Sequence, residues 1–226
     1  MSVTTFGPVR AKRASWNYDP DSTERCGVPT TIEVFSDFVC PFCYLAEQPL
    51  ADAVEGGDVQ IAWRPFELRP DPTPTLRPEG DYLQSTWQQV VYPMAERLGV
   101  PIVLPRVSPQ PYSRLAFEGF AYAEERGVGQ RYTERIFRAF FVKQRDIGKV
   151  EILADVAGEL GGLDTHDFRA ALESGRYAEA HQQALRRARE LEITVVPTFL
   201  VDGRRHEGVP SAEALHRLLN GAVAIR

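Results

Sequence analysis

A short β-branched and aromatic run, Thr31-Ile32-Glu33-Val34-Phe35-Ser36, leads within a few residues into Cys40-Pro41-Phe42-Cys43 and then into Leu45, Ala46, Leu50, Ala53 and Val54 at helical spacing. The first run reads as a strand and the last as an amphipathic helix. Pro41 suits the first turn of that helix, where its missing N–H has no partner to lose. Pro49 lies deeper and predicts a kink. Gly56-Gly57 stops the helix, and Val59-Gln60-Ile61-Ala62-Trp63-Arg64-Pro65-Phe66 reads as a second strand. Strand, helix, strand is a βαβ unit, which pairs its strands in parallel through a crossover. This opening commits the chain to an α/β fold.

The rest of the chain completes that fold around an interruption. Arg69 to Gly80 carries Pro70, Pro72, Pro74 and Pro78 and reads as a loop. Helical patterns follow at Tyr82–Leu98, Ser113–Arg126, Thr133–Lys143, Val150–Leu160, Thr165–Ser174 and Tyr177–Glu192. Thr198-Phe199-Leu200-Val201 is then a strand, Asp202-Gly203 a hairpin signal, Arg205 to Val209 the return strand, and Ser211 the cap of a last helix. The layout is βαβ, a helical block, then ββα. Residues 29–80 and 190–226 make one sheet domain, 81–189 an all-helical insertion, and 1–28 a polar N-terminal extension.

Composition narrows the function classes. The chain has 226 residues and a net charge of −5, which offers no global attraction to nucleic acid or to an anionic membrane surface. No apolar run approaches the ~18 residues that span a bilayer. Arg10, Lys12 and Arg13 have no apolar core behind them, so no secretory signal is expected. Three cysteines cannot build a disulfide framework. In a reducing cytoplasm, the expected location, closely spaced cysteines point to metal binding or redox catalysis.

Cys40-Pro41-Phe42-Cys43 is the strongest local signal, because it comes off a strand and opens a helix. A thiol at a helix start meets outward backbone N–H groups and the positive end of the dipole. That placement lowers a thiol pKa from about 8.5 toward the range of roughly 3.5–7.5. Cys40 is therefore expected to be exposed and acidified, with Cys43, one turn on, less accessible. Such a pair closes a disulfide and releases a mixed-disulfide partner. A zinc half-site is the alternative, but Cys26 is the only other thiol and His166, His181, His206 and His216 lack metal-ligand spacing. An inert buried pair is the other alternative, and Pro41 at a helix start weighs against it.

Val195-Val196-Pro197-Thr198-Phe199 places a proline at the mouth of a strand, where it cannot donate to the sheet. With this element the chain resembles the DsbA-like thioredoxin-fold oxidoreductases, and most closely their cytosolic FrnE-type branch. The matching text is "SDFVCPFCY", "WRPFEL", "SRLAFE", "FRAFF", "DIGKVEILADVAGELGGLD", "ALESGRY" and "VVPTFLVDGR". The resemblance implies a thioredoxin-like fold (βαβ … ββα) with an inserted helical domain. It implies a cis Val196–Pro197 bond facing the cysteines, Cys40 as nucleophile and Cys43 as resolving cysteine. Pro41, Phe42, Val196 and Pro197 would then contact an extended substrate. Phe42 stands where many relatives carry Trp, and "HEGVP" replaces the usual segment before the last helix.

The implied activity is thiol–disulfide exchange on a protein or small-molecule disulfide or dithiol. No external cofactor or metal is required, a small thiol such as glutathione or mycothiol can serve as co-substrate, and the chain is expected to act as monomer or homodimer. Related branches carry serine in place of the first cysteine and run glutathione-dependent isomerase or transferase chemistry, against which Cys40 argues. A non-catalytic peptide-binding module is the remaining alternative. Asp37 and Tyr44 are candidate tuning residues, and Glu67 is ambiguous between site and scaffold. Arg186, Arg187 and Arg189 read as a solvated face or a site for an acidic thiol. The Phe137, Phe140, Phe141 stripe reads as core.

Overall fold

The computed structural model describes residues 30–223. The extension read over 1–28, with Cys26, lies outside the described residues. β1 (Thr30–Ser36) is followed by α1 (Pro41–Leu45), α2 (Glu47–Val54) and β2 (Val59–Pro65). β1 and β2 are parallel, in register from Thr30↔Val59 to Ser36↔Pro65. The helix between them breaks at Ala46. Pro49 has no N–H to offer the Leu45 carbonyl and its ring crowds that oxygen, so the predicted kink falls one turn upstream of the proline.

The block read as one helix over Tyr82–Leu98 is α3 (Asp81–Thr86), a π-helical turn (Trp87–Val91) and α4 (Tyr92–Leu98). Pro93 is the cause. It removes a ladder donor, and the chain relaxes by slipping one residue so that Tyr92 N–H reaches the Trp87 carbonyl. Then come α5 (Arg114–Glu125), α6 (Gly129–Phe141), α7 (Val150–Leu160), α8 (Thr165–Glu173) and α9 (Ala178–Glu190). α6 begins ahead of the predicted Thr133, at a glycine whose missing Cβ leaves room for the Glu124 carboxylate and the Phe120 ring.

β3 (Thr198–Val201), β4 (Arg204–Glu207) and α10 (Ala212–Val223) close the fold. Asp202 and Gly203 both have positive φ, +46° and +77°, as a tight hairpin turn requires. β4 stops at Glu207, short of the predicted Val209. The sheet order is β2-β1-β3-β4, with β3 antiparallel to β1 and β4 antiparallel to β3. Ser211 Oγ accepts the Ala214 N–H at 3.2 Å, so the predicted cap is in place. This is the α/β, thioredoxin-like arrangement, with α3 to α9 lying in sequence between β2 and β3.

The aromatic stripe of α6 joins the two parts of the molecule. Phe137, Phe140 and Phe141 are fully buried. Phe137 meets Phe38 at 5.2 Å, Tyr44 at 5.8 Å and Trp63 at 6.5 Å between ring centroids. The stripe is core, and it presses the helical block against the loop that carries the cysteines. Among the described residues no helix is long and apolar enough to cross a membrane.

Candidate active site

Cys40 occupies the N-cap of α1 with extended backbone, and Pro41 takes the first helical position. The Cys40 carbonyl accepts the Cys43 N–H at 3.1 Å, which places the cysteines one turn apart. Both are free thiols. The expectation of an exposed Cys40 needs correction: Cys40 is 3% exposed and Cys43 2% exposed. Their asymmetry lies in what they border. Cys40 lines a cavity of about 220 Å³ together with Pro41, Phe42 and Val196, whereas Cys43 does not line it. The Val196 carbonyl lies 3.7 Å from Cys40 Sγ, and the same cavity is lined by Leu76 of the loop after β2, Leu83 of α3 and Trp87 of the π-helical turn.

Cys43 faces inward. Burial, then the adjacent Cys40 sulfur, push its thiol well above the usual range. The Ser36 hydroxyl and the Asp37 N–H, 3.5 Å from Cys43 Sγ, act in the opposite direction. Both are donors able to stabilise a thiolate when one forms.

Asp37 is fully buried and lines the same cavity. Its Oδ2 accepts the Leu68 N–H at 2.7 Å and its Oδ1 the Val39 N–H at 3.3 Å, while its backbone carbonyl accepts the Cys40 N–H at 3.0 Å. It thus shapes the turn ahead of Cys40 as well as bordering the chemistry. Burial pushes its carboxyl up to about 6, against hydrogen bonds from Leu68, Ser113 and Val39, and the nearby charge of Glu67 adds to the rise.

Tyr44, a candidate tuning residue, packs away from the cavity. Successive helical residues point about 100° apart, so a side chain following inward-facing Cys43 swings into the helical block. Its ring stacks on Phe141 at 5.5 Å, and its hydroxyl donates to the Pro101 carbonyl at 3.2 Å. Tyr44 is a joint between the two parts of the fold, not a residue of the cavity.

The Val195–Pro197 loop sits opposite the cysteines. The Val196–Pro197 peptide is cis, Val196 lines the cavity, and Pro197 is buried just outside it. The Pro197 carbonyl accepts the Gly208 N–H at 2.9 Å, and Thr198 Oγ1 donates to the Val195 carbonyl at 2.6 Å. These bonds fix the loop that presents the Val196 carbonyl to Cys40.

Several cavity residues carried no local signal. Arg69 is the basic residue of the lining, Gln110 and Ser113 come from the approach to α5, and the exposed apolar side chains of Leu68 and Tyr82 border it. The Trp87 indole N–H is buried without a partner. None of the arginines singled out in α9 lines this cavity. Arg187 instead pairs with Glu33 of β1 at 3.2 Å, and Arg189 borders a separate surface groove with Glu67. Among the described residues no group of three or more His, Cys, Asp or Glu side chains is arranged to hold a metal ion.

The DSBA-like thioredoxin domain family matches residues 31–220. A Bacillus subtilis protein described as uncharacterized YwbO is 48% identical over 172 residues, covering 75% of this chain and 86% of that one. Among solved structures, a 2-hydroxychromene-2-carboxylate isomerase superposes with a TM-score of 0.69 at 20% identity, over 86% of this chain and 95% of that one. The cytosolic disulfide reductase DsbM from Pseudomonas aeruginosa, solved with GSH, gives 0.66 at 20% identity, over 86% of this chain and 100% of that one. At these identities the two structures are shared fold alone.

Proposed function

We propose that this chain, which belongs to the family of DSBA-like thioredoxin domains, is a thiol–disulfide oxidoreductase in which Cys40 attacks and Cys43 resolves. The observation that carries the reading is the placement of Cys40 alone on the cavity, beneath the Val196 carbonyl, with Cys43 one turn behind it. In the reductive direction the Cys40 thiolate attacks one sulfur of a substrate disulfide, and the other sulfur leaves as a thiolate. Cys43 then loses its proton and attacks Cys40 Sγ, and the second substrate thiolate leaves. The substrate gains two electrons and two protons, and Cys40 and Cys43 finish as a disulfide. No external cofactor is needed, because the cysteines carry the electrons. A dithiol substrate runs the same steps backwards.

The Val195–Pro197 backbone is the surface on which an extended substrate would pair, with Pro41 and Phe42 on the opposite wall. Arg69 suits a carboxylate at the cavity mouth, which supports glutathione or a similar small thiol as co-substrate, and GSH is present in the DsbM structure. Within the family we assign the chain to the FrnE-type branch in the cytoplasm, with α3 to α9 as its helical insertion.

A second reading, a thiol-dependent isomerase of a small molecule, is favoured by the enclosed and largely apolar lining that Leu76, Leu83, Trp87 and Phe42 give the cavity. Mass spectrometry after incubation with glutathione disulfide or insulin tests the first reading against it. Cys43→Ser should accumulate mixed disulfides and Cys40→Ser should trap none. Equal trapping by both variants would overturn the assigned roles, and thiol-dependent turnover surviving Cys40→Ser would establish the isomerase.

A further inference from the structure

Cys40 is only 3% exposed, yet its sulfur has to meet sulfurs that arrive from outside. Among the described residues that line its cavity, two carry exposed side chains, Leu68 at 45% and Tyr82 at 64%. The rest of the lining, Phe42 and Val196 included, is half-buried or buried. Where the lining of a cavity passes from buried to exposed, it passes from the depth to the mouth. Leu68 and Tyr82 therefore stand at the mouth, with Cys40 within.

An exposed leucine or tyrosine by itself is ordinary surface. These two are set apart by where they stand and by how firmly their backbone is held. Leu68 follows β2, and its N–H donates to Asp37 Oδ2 at 2.7 Å. Beside it, the Glu67 carboxylate is in hydrogen-bond contact with His181 Nε2 of α9. The loop running on toward α3 is tied by the Gln110 N–H, which donates to the Leu76 carbonyl at 2.8 Å. Tyr82 belongs to the first turn of α3, where Gln84 Nε2 donates to the Pro78 carbonyl at 2.7 Å and Ser85 Oγ to the Tyr82 carbonyl at 3.2 Å. The width of the mouth is thus built into the fold from both the sheet side and the helical side.

Size then decides what can enter. The cavity holds about 220 Å³, less than the roughly 300–1,000 Å³ of sites that enclose a drug-sized molecule. Exchange brings two sulfurs to covalent distance, about 2.05 Å, so it cannot be conducted from outside the mouth. A folded redox domain presents its cysteine on a broad face, and that face does not enter such a space.

We infer that Leu68 and Tyr82 are specificity-determining residues that act as a size filter: they pass a sulfur borne on a slender group to Cys40 and exclude one carried on a folded domain, so that low-molecular-weight thiols regenerate the reduced pair. The inference rests on the oxidoreductase reading for its chemistry. A small thiolate attacks Cys40 Sγ of the oxidised pair, the Cys40–Cys43 bond breaks, and Cys43 leaves as a thiolate. A second small thiolate attacks the outer sulfur of the mixed disulfide, and Cys40 leaves as a thiolate in turn. Two thiols become one disulfide, and the pair gains two electrons. The protons shed by the small thiols are matched by those the two cysteines take up.

The test starts from the full chain with Cys40 and Cys43 oxidised by diamide. Reduction by glutathione or by reduced thioredoxin, at equal thiol concentration, is followed by alkylation and peptide mass spectrometry. Thioredoxin should reduce the parent no faster than glutathione does. Leu68→Ala combined with Tyr82→Ala should raise the ratio of the thioredoxin rate to the glutathione rate about tenfold or more, as removal of a steric block does. A parent reduced faster by thioredoxin overturns the inference, and so does a double variant in which the ratio is unchanged. The parent comparison holds whether or not the variant folds.

A second readout needs no exchange. In the reduced chain, N-ethylmaleimide should label Cys40, whereas a maleimide fixed on the surface of a folded carrier protein should label it only in the double variant. Labelling of Cys40 in the parent by the carrier overturns the filter. If diamide forms no Cys40–Cys43 disulfide, the oxidoreductase reading falls, and the labelling still decides whether the mouth selects by size.

Discussion

Replacing Asp37 with asparagine should flatten part of the protein's pH–stability curve by an amount that follows from its burial. The carboxyl is 0% exposed, and burial raises it from 3.8 to about 6. A folded-state value above the unfolded one means that the native state holds this proton more tightly. The group's contribution is therefore fully present below the unfolded value and is lost as pH rises through about 6. A difference of about two pH units corresponds to about 3 kcal/mol, and burial leaves no solvent screening to discount. Urea unfolding of the reduced protein at several pH values from about 4 to 8 should span most of that window. Stability of Asp37→Asn relative to the parent should rise steadily across it. Hydrogen bonds lost in the variant, such as that from Leu68, add an offset that does not change with pH and so cancels in the slope. Parallel curves for the two proteins would refute the reasoning, because they would mean that Asp37 is as easily ionised folded as unfolded.

Other outcomes follow from the same geometry. Alkylation of the reduced protein near neutral pH should label Cys40 before Cys43, since only Cys40 borders the cavity and the Cys43 thiol is pushed up; peptide mass spectrometry showing the reverse order would exchange their roles. Tyr44→Phe should lose the hydrogen bond to Pro101, about 1 kcal/mol by urea unfolding, and leave the pH profile of disulfide exchange unchanged. Arg69→Glu should raise KM for glutathione disulfide while Arg186→Glu should not, which steady-state kinetics on the two variants would check. Phe137→Ala should cost about 3–5 kcal/mol in unfolding free energy, because a fully buried ring between the sheet side and the helical block leaves a cavity there.

The parts of this molecule that were legible in its sequence are those whose physics is local. A strand ending in a turn, a proline at a helix start and a thiol on either side of it announce themselves over a few residues. Asp202-Gly203 did the same for the β3–β4 hairpin, and Ser211 for the last helix. Pro93 was equally visible, yet its effect was not. A proline inside a helical pattern can end, bend or slip the helix, and the choice of a π-helical turn depends on what Trp87 and Val91 must bury. Where Tyr44 packs was open for a related reason. Adjacency to Cys43 in sequence is separation by about 100° around the helix axis, and only the packed Phe141 ring fixes where that vector ends.

The depth of the site was not legible, because its members are brought together by the fold alone. Asp37 lies just past the end of one strand, Glu67 follows the neighbouring strand and His181 belongs to a helix more than a hundred residues later. Asp37 was visible only as a candidate tuning residue and Glu67 was ambiguous, while His181 lacked any spacing that would mark it. Parallel pairing of β1 with β2 aligns Ser36 with Pro65, and that register brings Leu68 to Asp37. The α9 helix, packed on β2, then supplies His181 to Glu67. The same arrangement accounts for the one clear failure of the local reading of the cysteines. A helix start ordinarily presents its first thiol to solvent, but here Cys40 lies against the Val196 carbonyl and borders a cavity that Leu83 and Trp87 of the helical block also line. On the proposed oxidoreductase reading, a sulfur that approaches Cys40 through that cavity would have to be borne on a slender group, either a small disulfide or an extended segment laid along Val196, and the helical block would then act on substrate choice.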